Sequence, residues 1–212
     1  MSPSDAPRSR STLGQKILKG LRNPTAIIAH LRFLTDSERV VRLQCNGEWF
    51  YKYRGVLYPD YLNHGNAAEH IRDTANKFCT GHGLDIGADR WPYPGATPVF
   101  NEPHRNAYLL DDVPDASQDY VHSSHCLEHL ECWQNALQLW ITKLKPGGHL
   151  FLYLPHEDMK LWNPGSPWVK DGHKWQPTVA VLKPFLESLS LRIIEFNPGH
   201  DHYWSFHLVA QK

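Results

Sequence analysis

Three groups of side chains in this 212-residue chain combine reactive types with informative spacing. The first is Asp85, inside the apolar run Gly83-Leu-Asp-Ile-Gly-Ala88. A carboxylate within a buried strand is costly unless something pairs with it, and the glycines let the backbone turn sharply at the strand end. The second is Asp119-Tyr-Val-His-Ser-Ser-His-Cys-Leu-Glu-His-Leu130, an apolar strand that runs into a polar turn. The third stretches from Pro155 to Trp175, where His156, Asp158, His173 and Lys174 stand among Trp162, Trp168 and Trp175. Histidine serves as a general base near neutral pH, and a neighbouring carboxylate orients it. Tryptophan faces offer flat apolar platforms for sugar rings or aromatic molecules. His156, Asp158 and His173 also have donor types that suit divalent ions, but no compact spacing unites them, so a divalent metal is not favoured. His200-Asp-His202 is read as an exposed hairpin tip.

These residues need elements to position them. Val-Val-Arg-Leu-Gln-Cys and Glu-Trp-Phe-Tyr-Lys-Tyr flank Asn46-Gly47, a strong hairpin signal. A helix is expected from about 66 to 78, then strands over 83–87, 97–100, 107–110, 119–123 and 149–154, with a helix over 126–143. The segment 156–176 is irregular, and its three Trp argue against disorder. A helix over 177–188 and strands 191–196 and 203–210 close the chain, the last two as an antiparallel edge pair. Strands that alternate with helices imply a mostly parallel α/β sheet with a ligand pocket at the strands' carboxyl ends. Glu128 and His129 are read as helix-packing groups, Asp119 as a group that orients a strand entry, and Lys145-Pro-Gly-Gly148 as a helix stop and turn.

Formal net charge is zero, which gives no reason to invoke nucleic acid. The charge is nonetheless lopsided: up to position 42, eight Lys and Arg face three Asp and Glu. That end, with two short helical patterns over 12–40, reads either as a solvated helix face or as a patch for an anionic substrate, a partner or a peripheral membrane contact. Four cysteines without a CxxC pair fit a reduced, cytoplasmic protein. No run of about 18 apolar residues supports a transmembrane segment.

Leu84-Asp-Ile-Gly87, Asp119-Tyr-Val-x-Ser-Ser-x-x-Leu-Glu-His-Leu130 and Leu144-Lys-Pro-Gly-Gly148 together resemble class I S-adenosylmethionine-dependent methyltransferases over residues 66–212. The resemblance implies a Rossmann-like, seven-stranded, mostly parallel sheet with an antiparallel C-terminal hairpin and helices on both faces. It implies a domain at 66–212 behind an N-terminal extension at 1–65. It also implies S-adenosyl-L-methionine as cofactor and S-adenosyl-L-homocysteine as product. Gly83, Asp85 and Gly87 then belong to the cofactor turn, Asn101 or Glu102 to the ribose hydroxyls, Asp111 to the adenine amino group, and Ser123, Ser124 and His125 to the floor of the site. One departure stands out: Asp89 occupies the place of a second glycine that is common in the family.

The loop after the fifth strand opens beside the methyl group in this fold. His156 or His173 is therefore expected as the base, with Asp158 as partner, in an O-methyltransferase. Pro155-His-Glu-Asp and Asp171-Gly-His-Lys also resemble small methyltransferases of polysaccharide and lipopolysaccharide assembly, which favours a sugar hydroxyl of a glycan or glycosylated small molecule as acceptor. A small phenolic or natural-product acceptor is the nearest rival, and a non-catalytic cofactor-binding module is the rival from another class.

Overall fold

The structure is a computed structural model, and it describes residues 39–212. The two N-terminal helical patterns and most of the basic patch lie in 1–38, outside the described residues. The chain begins with three antiparallel strands, β1 (Val41–Cys45), β2 (Glu48–Tyr53) and β3 (Val56–Pro59). The expected Asn46-Gly47 turn joins the first two, with both residues at positive φ, 52° and 87°, as a tight hairpin turn requires. A 3-10 turn (Asp60–Asn63) leads into α1 (Ala67–Ala75).

The main sheet follows: β4 (Gly83–Ile86), β5 (Thr97–Val99), β6 (Gln118–Ser124), α2 (Trp133–Lys143), β7 (Leu144–Pro155), α3 (Val179–Ser188), β8 (Arg192–Phe196) and β9 (Ser205–Gln211). Its strand order is β5-β4-β6-β7-β9-β8. The first four strands run parallel, and β9 pairs antiparallel with both β7 and β8. This is the mostly parallel α/β sheet with a closing antiparallel pair that the sequence implies, with six strands instead of seven.

The missing strand is the one expected at 107–110. Asn106 Oδ1 accepts from the Tyr108 backbone N–H at 2.9 Å, and the main chain closes on itself between Asn106 and Leu109. An Asn side chain that captures a nearby N–H favours a turn over a ladder. The helix expected over 126–143 also starts late. Leu127–His129 form a 3-10 turn, Leu130 is extended, and α2 begins at Trp133. The carbonyls that an α-helix would use are already taken: Trp175 Nε1–H donates to Leu127 O at 2.9 Å and Lys174 N–H to Glu128 O at 2.7 Å.

Each face of the sheet has its own core. Trp133, Ala136, Leu137, Trp140 and Ile141, spaced at helical period, turn α2 against Leu84, Ile86, Val121, Leu150 and Leu152. Leu182 and Leu186 of α3 join them, and Thr178 caps that helix by accepting from Val181 N–H. The opposite face carries Tyr120, Phe151, Tyr153 and Val209, covered by Ile71 and Ala75 of α1 and by Tyr53 and Tyr58 of the small sheet. The core therefore continues across the expected 65/66 boundary.

Residues 156–176 form a strap without regular structure, but Met159, Leu161 and Trp162 are buried. Its three Trp anchor different partners: Trp175 stacks on Trp133, Trp168 meets Tyr51 edge-on, and Trp162 packs beside His125 and Tyr203. Tyr58 also donates its hydroxyl to Asp158 O and accepts from Lys160 N–H.

Candidate active site

A cavity of about 300 Å³ opens at the carboxyl ends of β4 and β6, between the α1 N-terminus and the strap. This is where an open parallel sheet presents ligands. The turn after β4 forms one wall. Asp85 is 2% exposed and both its oxygens are used. Oδ1 lies 2.6 Å from His122 Nδ1, and Oδ2 accepts from Tyr93 N–H at 2.7 Å. The carboxylate thereby ties the loop after β4 to the neighbouring strand.

Gly87 turns at φ +82°, and an added Cβ would stand 2.5 Å from Cys126 Sγ. Two requirements, conformation and space, thus coincide there. Asp89, in the place of the common second glycine, keeps a left-handed conformation at φ 43°, which Asp tolerates better than most residues.

The end of β6 supplies the floor. Ser123 Oγ donates to Ile86 O at 3.0 Å and so joins two strands, while Ser124 lines the cavity with a hydroxyl that has no protein partner. His125 sits at φ 49°. Its Nε2 lies 2.8 Å from Ser205 Oγ, and that hydroxyl donates onward to Tyr203 O. Nε2 is therefore the donor, and the Nδ1 lone pair faces Glu128 Oε1 at 3.6 Å. Burial, together with the imidazoles of His173, His129 and His70, pushes His125 down to about 3.

Glu128 and His129, read from sequence as helix packing, pack behind His173 without lining the cavity, and His129 bonds to backbone through Nδ1 and Gly172 O at 2.9 Å. Glu128 is 0% exposed, and neither of its oxygens has a hydrogen-bond partner. Burial raises its carboxyl to about 8. His173 is 8% exposed and lines the cavity. Its Nδ1 donates to Trp162 O at 2.5 Å, so its Nε2 lone pair is free, 3.9 Å from Glu128 Oε1. Burial and the neighbouring His129 push His173 down to about 4, so it is neutral at physiological pH.

The other candidates fall elsewhere. Gly83 does not line the cavity; an added Cβ there would stand 2.5 Å from the Tyr120 ring, so the glycine makes room for a core aromatic. Asn101, Glu102 and Asp111 are exposed and stand outside the cavity lining. His156 lines a separate recess with Thr178, Phe196 and Phe206. Its Nδ1 accepts from Asp158 N–H at 3.1 Å, while the Asp158 carboxylate is 3.5 Å away. Of the hairpin tip, Asp201 is structural: it accepts from Tyr153 Oη–H, Tyr203 N–H and Ser205 N–H. Asp119 orients the entry to β6 by accepting from His82 N–H and Lys145 Nζ. All four cysteines are free.

The strand order, the glycine turn and a cavity at the carboxyl ends define a Rossmann-like methyltransferase fold. Residues 63–205 match the family described as Methyltransferase domain, and the chain belongs to that family. Solved structures agree on the fold. A SAM-dependent methyltransferase from Archaeoglobus fulgidus is 18% identical at a TM-score of 0.51, over 68% of this chain and 92% of that one. A Mesorhizobium loti S-adenosylmethionine-dependent methyltransferase is 16% identical at 0.50, over 71% and 100%. The 1,6-didemethyltoxoflavin-N1-methyltransferase of Burkholderia thailandensis, solved with its acceptor and S-adenosylhomocysteine, is 15% identical at 0.51, over 100% and 94%. No curated protein matches the chain. The protein is an S-adenosylmethionine-dependent methyltransferase. Among the described residues, no helix is long and apolar enough to cross a membrane.

Proposed function

We propose that the chain transfers the methyl group to a hydroxyl, with a sugar of a glycan or glycosylated small molecule as acceptor. Asp85, Gly87 and Ser124 hold the cofactor from the strand ends. The acceptor lies between Trp162 and His173, with Glu128 and His129 packed behind His173. The transfer breaks the sulfonium S–CH3 bond and forms an O–CH3 bond. The sulfur keeps the electron pair, and the hydroxyl proton leaves toward the imidazole wall. The observation that carries this reading is the His173 tautomer. Its Nδ1 proton is committed to Trp162 O, which leaves a neutral nitrogen lone pair beside the cavity. His156 lacks this property, because its Nδ1 lone pair is already occupied by Asp158 N–H.

Aromatic surface at the cavity, from Trp91, Trp162 and Tyr203, suits the flat face of a sugar ring and equally a phenol. The test is radiolabelled methyl transfer from S-adenosylmethionine to a panel of nucleotide sugars, aryl glycosides, catechols and aromatic amines. Incorporation into sugar hydroxyls, lost by at least about 100-fold in His173→Ala and retained in His156→Ala, is expected. Incorporation only into phenols or amines overturns the acceptor. Full turnover in His173→Ala overturns the proton route.

A further inference from the structure

The cluster behind His173 has an arrangement that proton transfer alone does not explain. Glu128, His129 and His173 each bring one donor atom, and all three atoms lie within 4.8 Å of one another. Glu128 is fully buried, yet both its oxygens lack a hydrogen-bond partner. A carboxyl group in that state forgoes about 1–3 kcal/mol or more per unsatisfied polar atom, so a native protein rarely keeps one without a reason.

The two histidines share a second trait. His129 Nδ1 lies 2.9 Å from Gly172 O and His173 Nδ1 lies 2.5 Å from Trp162 O. A carbonyl only accepts, so each Nδ1 carries the proton and each Nε2 presents a lone pair. Backbone carbonyls that fix ring and tautomer in this way are the usual support behind metal-bound imidazoles. Both carbonyls belong to the strap, and the neighbouring Lys174 N–H donates to Glu128 O. The same segment therefore locks all three groups.

We infer that Glu128, His129 and His173 form a binding site for a first-row divalent cation, with Zn2+ the ion best matched to the donors. Two neutral imidazoles and one carboxylate make a three-ligand set that leaves a position open. Tetrahedral bonds of about 2.1 Å set ligand atoms about 3.4 Å apart. The 3.9 Å between His173 Nε2 and Glu128 Oε1 thus closes with a small side-chain shift. His173 lines the cavity, so the open position borders the acceptor space. An ion held there lowers the pKa of a bound hydroxyl, and His173 Nε2 then serves as its ligand in place of proton acceptor, the proton leaving to solvent. That role rests on the O-methyl transfer reading, whereas the binding of the ion does not.

The test is calorimetric titration of untagged, chelator-treated full-length protein with Zn2+, beside Mn2+ and Mg2+ as probes. One Zn2+ per chain with submicromolar affinity is expected. His129→Ala, at an exposed position, should weaken binding by about 100-fold or more, as should His173→Ala. His200→Ala, an exposed histidine outside the cluster, should leave it unchanged. Substitution by Co2+ should give visible d–d absorption that His129→Ala abolishes. Absent binding at 100-fold molar excess, or binding that survives both variants, overturns the site. Titration of the same metal-free protein with S-adenosylhomocysteine reports separately on the methyltransferase reading. Cofactor binding without zinc binding refutes the metal site alone.

Discussion

The Asp85 carboxylate is the sharpest place to test the account of the cofactor turn. In Asp85→Ala, His122 Nδ1 and Tyr93 N–H both lose their partner in a site that is 2% exposed. Each orphaned group costs about 1–3 kcal/mol, and loss of one member of a buried pair costs about 3–5 kcal/mol in all. Set against a stability of about 5–15 kcal/mol for a typical domain, that loss moves the whole unfolding curve. Asp85→Asn keeps an acceptor for Tyr93 N–H but offers an amide N–H2 to His122. That forces the imidazole proton onto Nε2, a buried atom that has no partner, and the expected cost is about 1–3 kcal/mol. His122→Phe preserves the stack between Tyr93 and Phe151 and removes the mismatch. Asp85→Asn combined with His122→Phe should therefore cost less than the sum of the two single changes by at least about 1 kcal/mol. Urea unfolding followed by tryptophan fluorescence measures the unaltered protein and all four variants. An Asp85→Ala cost below about 1 kcal/mol, or additivity within about 0.5 kcal/mol, refutes the reasoning.

The two glycines of the same run should separate packing from ligand binding. Gly83→Ala pushes a methyl into the Tyr120 ring and should cost about 1–3 kcal/mol of stability while S-adenosylhomocysteine affinity stays within threefold, read by melting and calorimetry. Gly87→Ala meets both a positive φ and Cys126, so it should lose stability and weaken S-adenosylhomocysteine by about tenfold or more. Burial and the neighbouring His202 hold His70 below the ordinary histidine range. The unfolded chain then takes up a proton near pH 6.5 that the folded state refuses, so stability is lost as pH falls below that value. His70→Phe keeps the stack on Tyr203 and should flatten that slope between pH 6.5 and 5 in denaturant titrations.

Much of this architecture was legible from short-range signals. Asn46-Gly47 fixed a hairpin because few dipeptides accept two positive φ angles. The parallel strands at 83, 97, 119 and 149 showed as apolar runs because both their faces are covered. Failures arose where distant residues compete with local preference. The helical period from 126 onward is real, but Lys174 and Trp175 take the carbonyls that would have started the helix there. A third strand was plausible at 107–110 until the Asn106 side chain captured Tyr108 N–H. The site showed the same split. Asp85, Gly87, Ser124 and His125 came from the family resemblance and His173 from its type and place in the loop, and all five line one cavity. His156 and His173 lie 17 positions apart on one irregular segment, and nothing in its pattern said that they face different recesses. The burial of Glu128 was not visible, because a Leu-Glu-His run in a helical context gives no sign that the carboxylate points inward.

The strap reaches the active-site wall from both sides of the molecule. Its first part is clasped by Tyr58 and Tyr51 of the small N-terminal sheet, and its last part is stapled to α2 by Trp175. On the proposed assignment, the small sheet that clasps the strap helps to shape the acceptor side of the cavity. Exchange of β1–β3 between related proteins is then a route to new acceptors, provided that the core it shares with Tyr120 and Phe151 is kept.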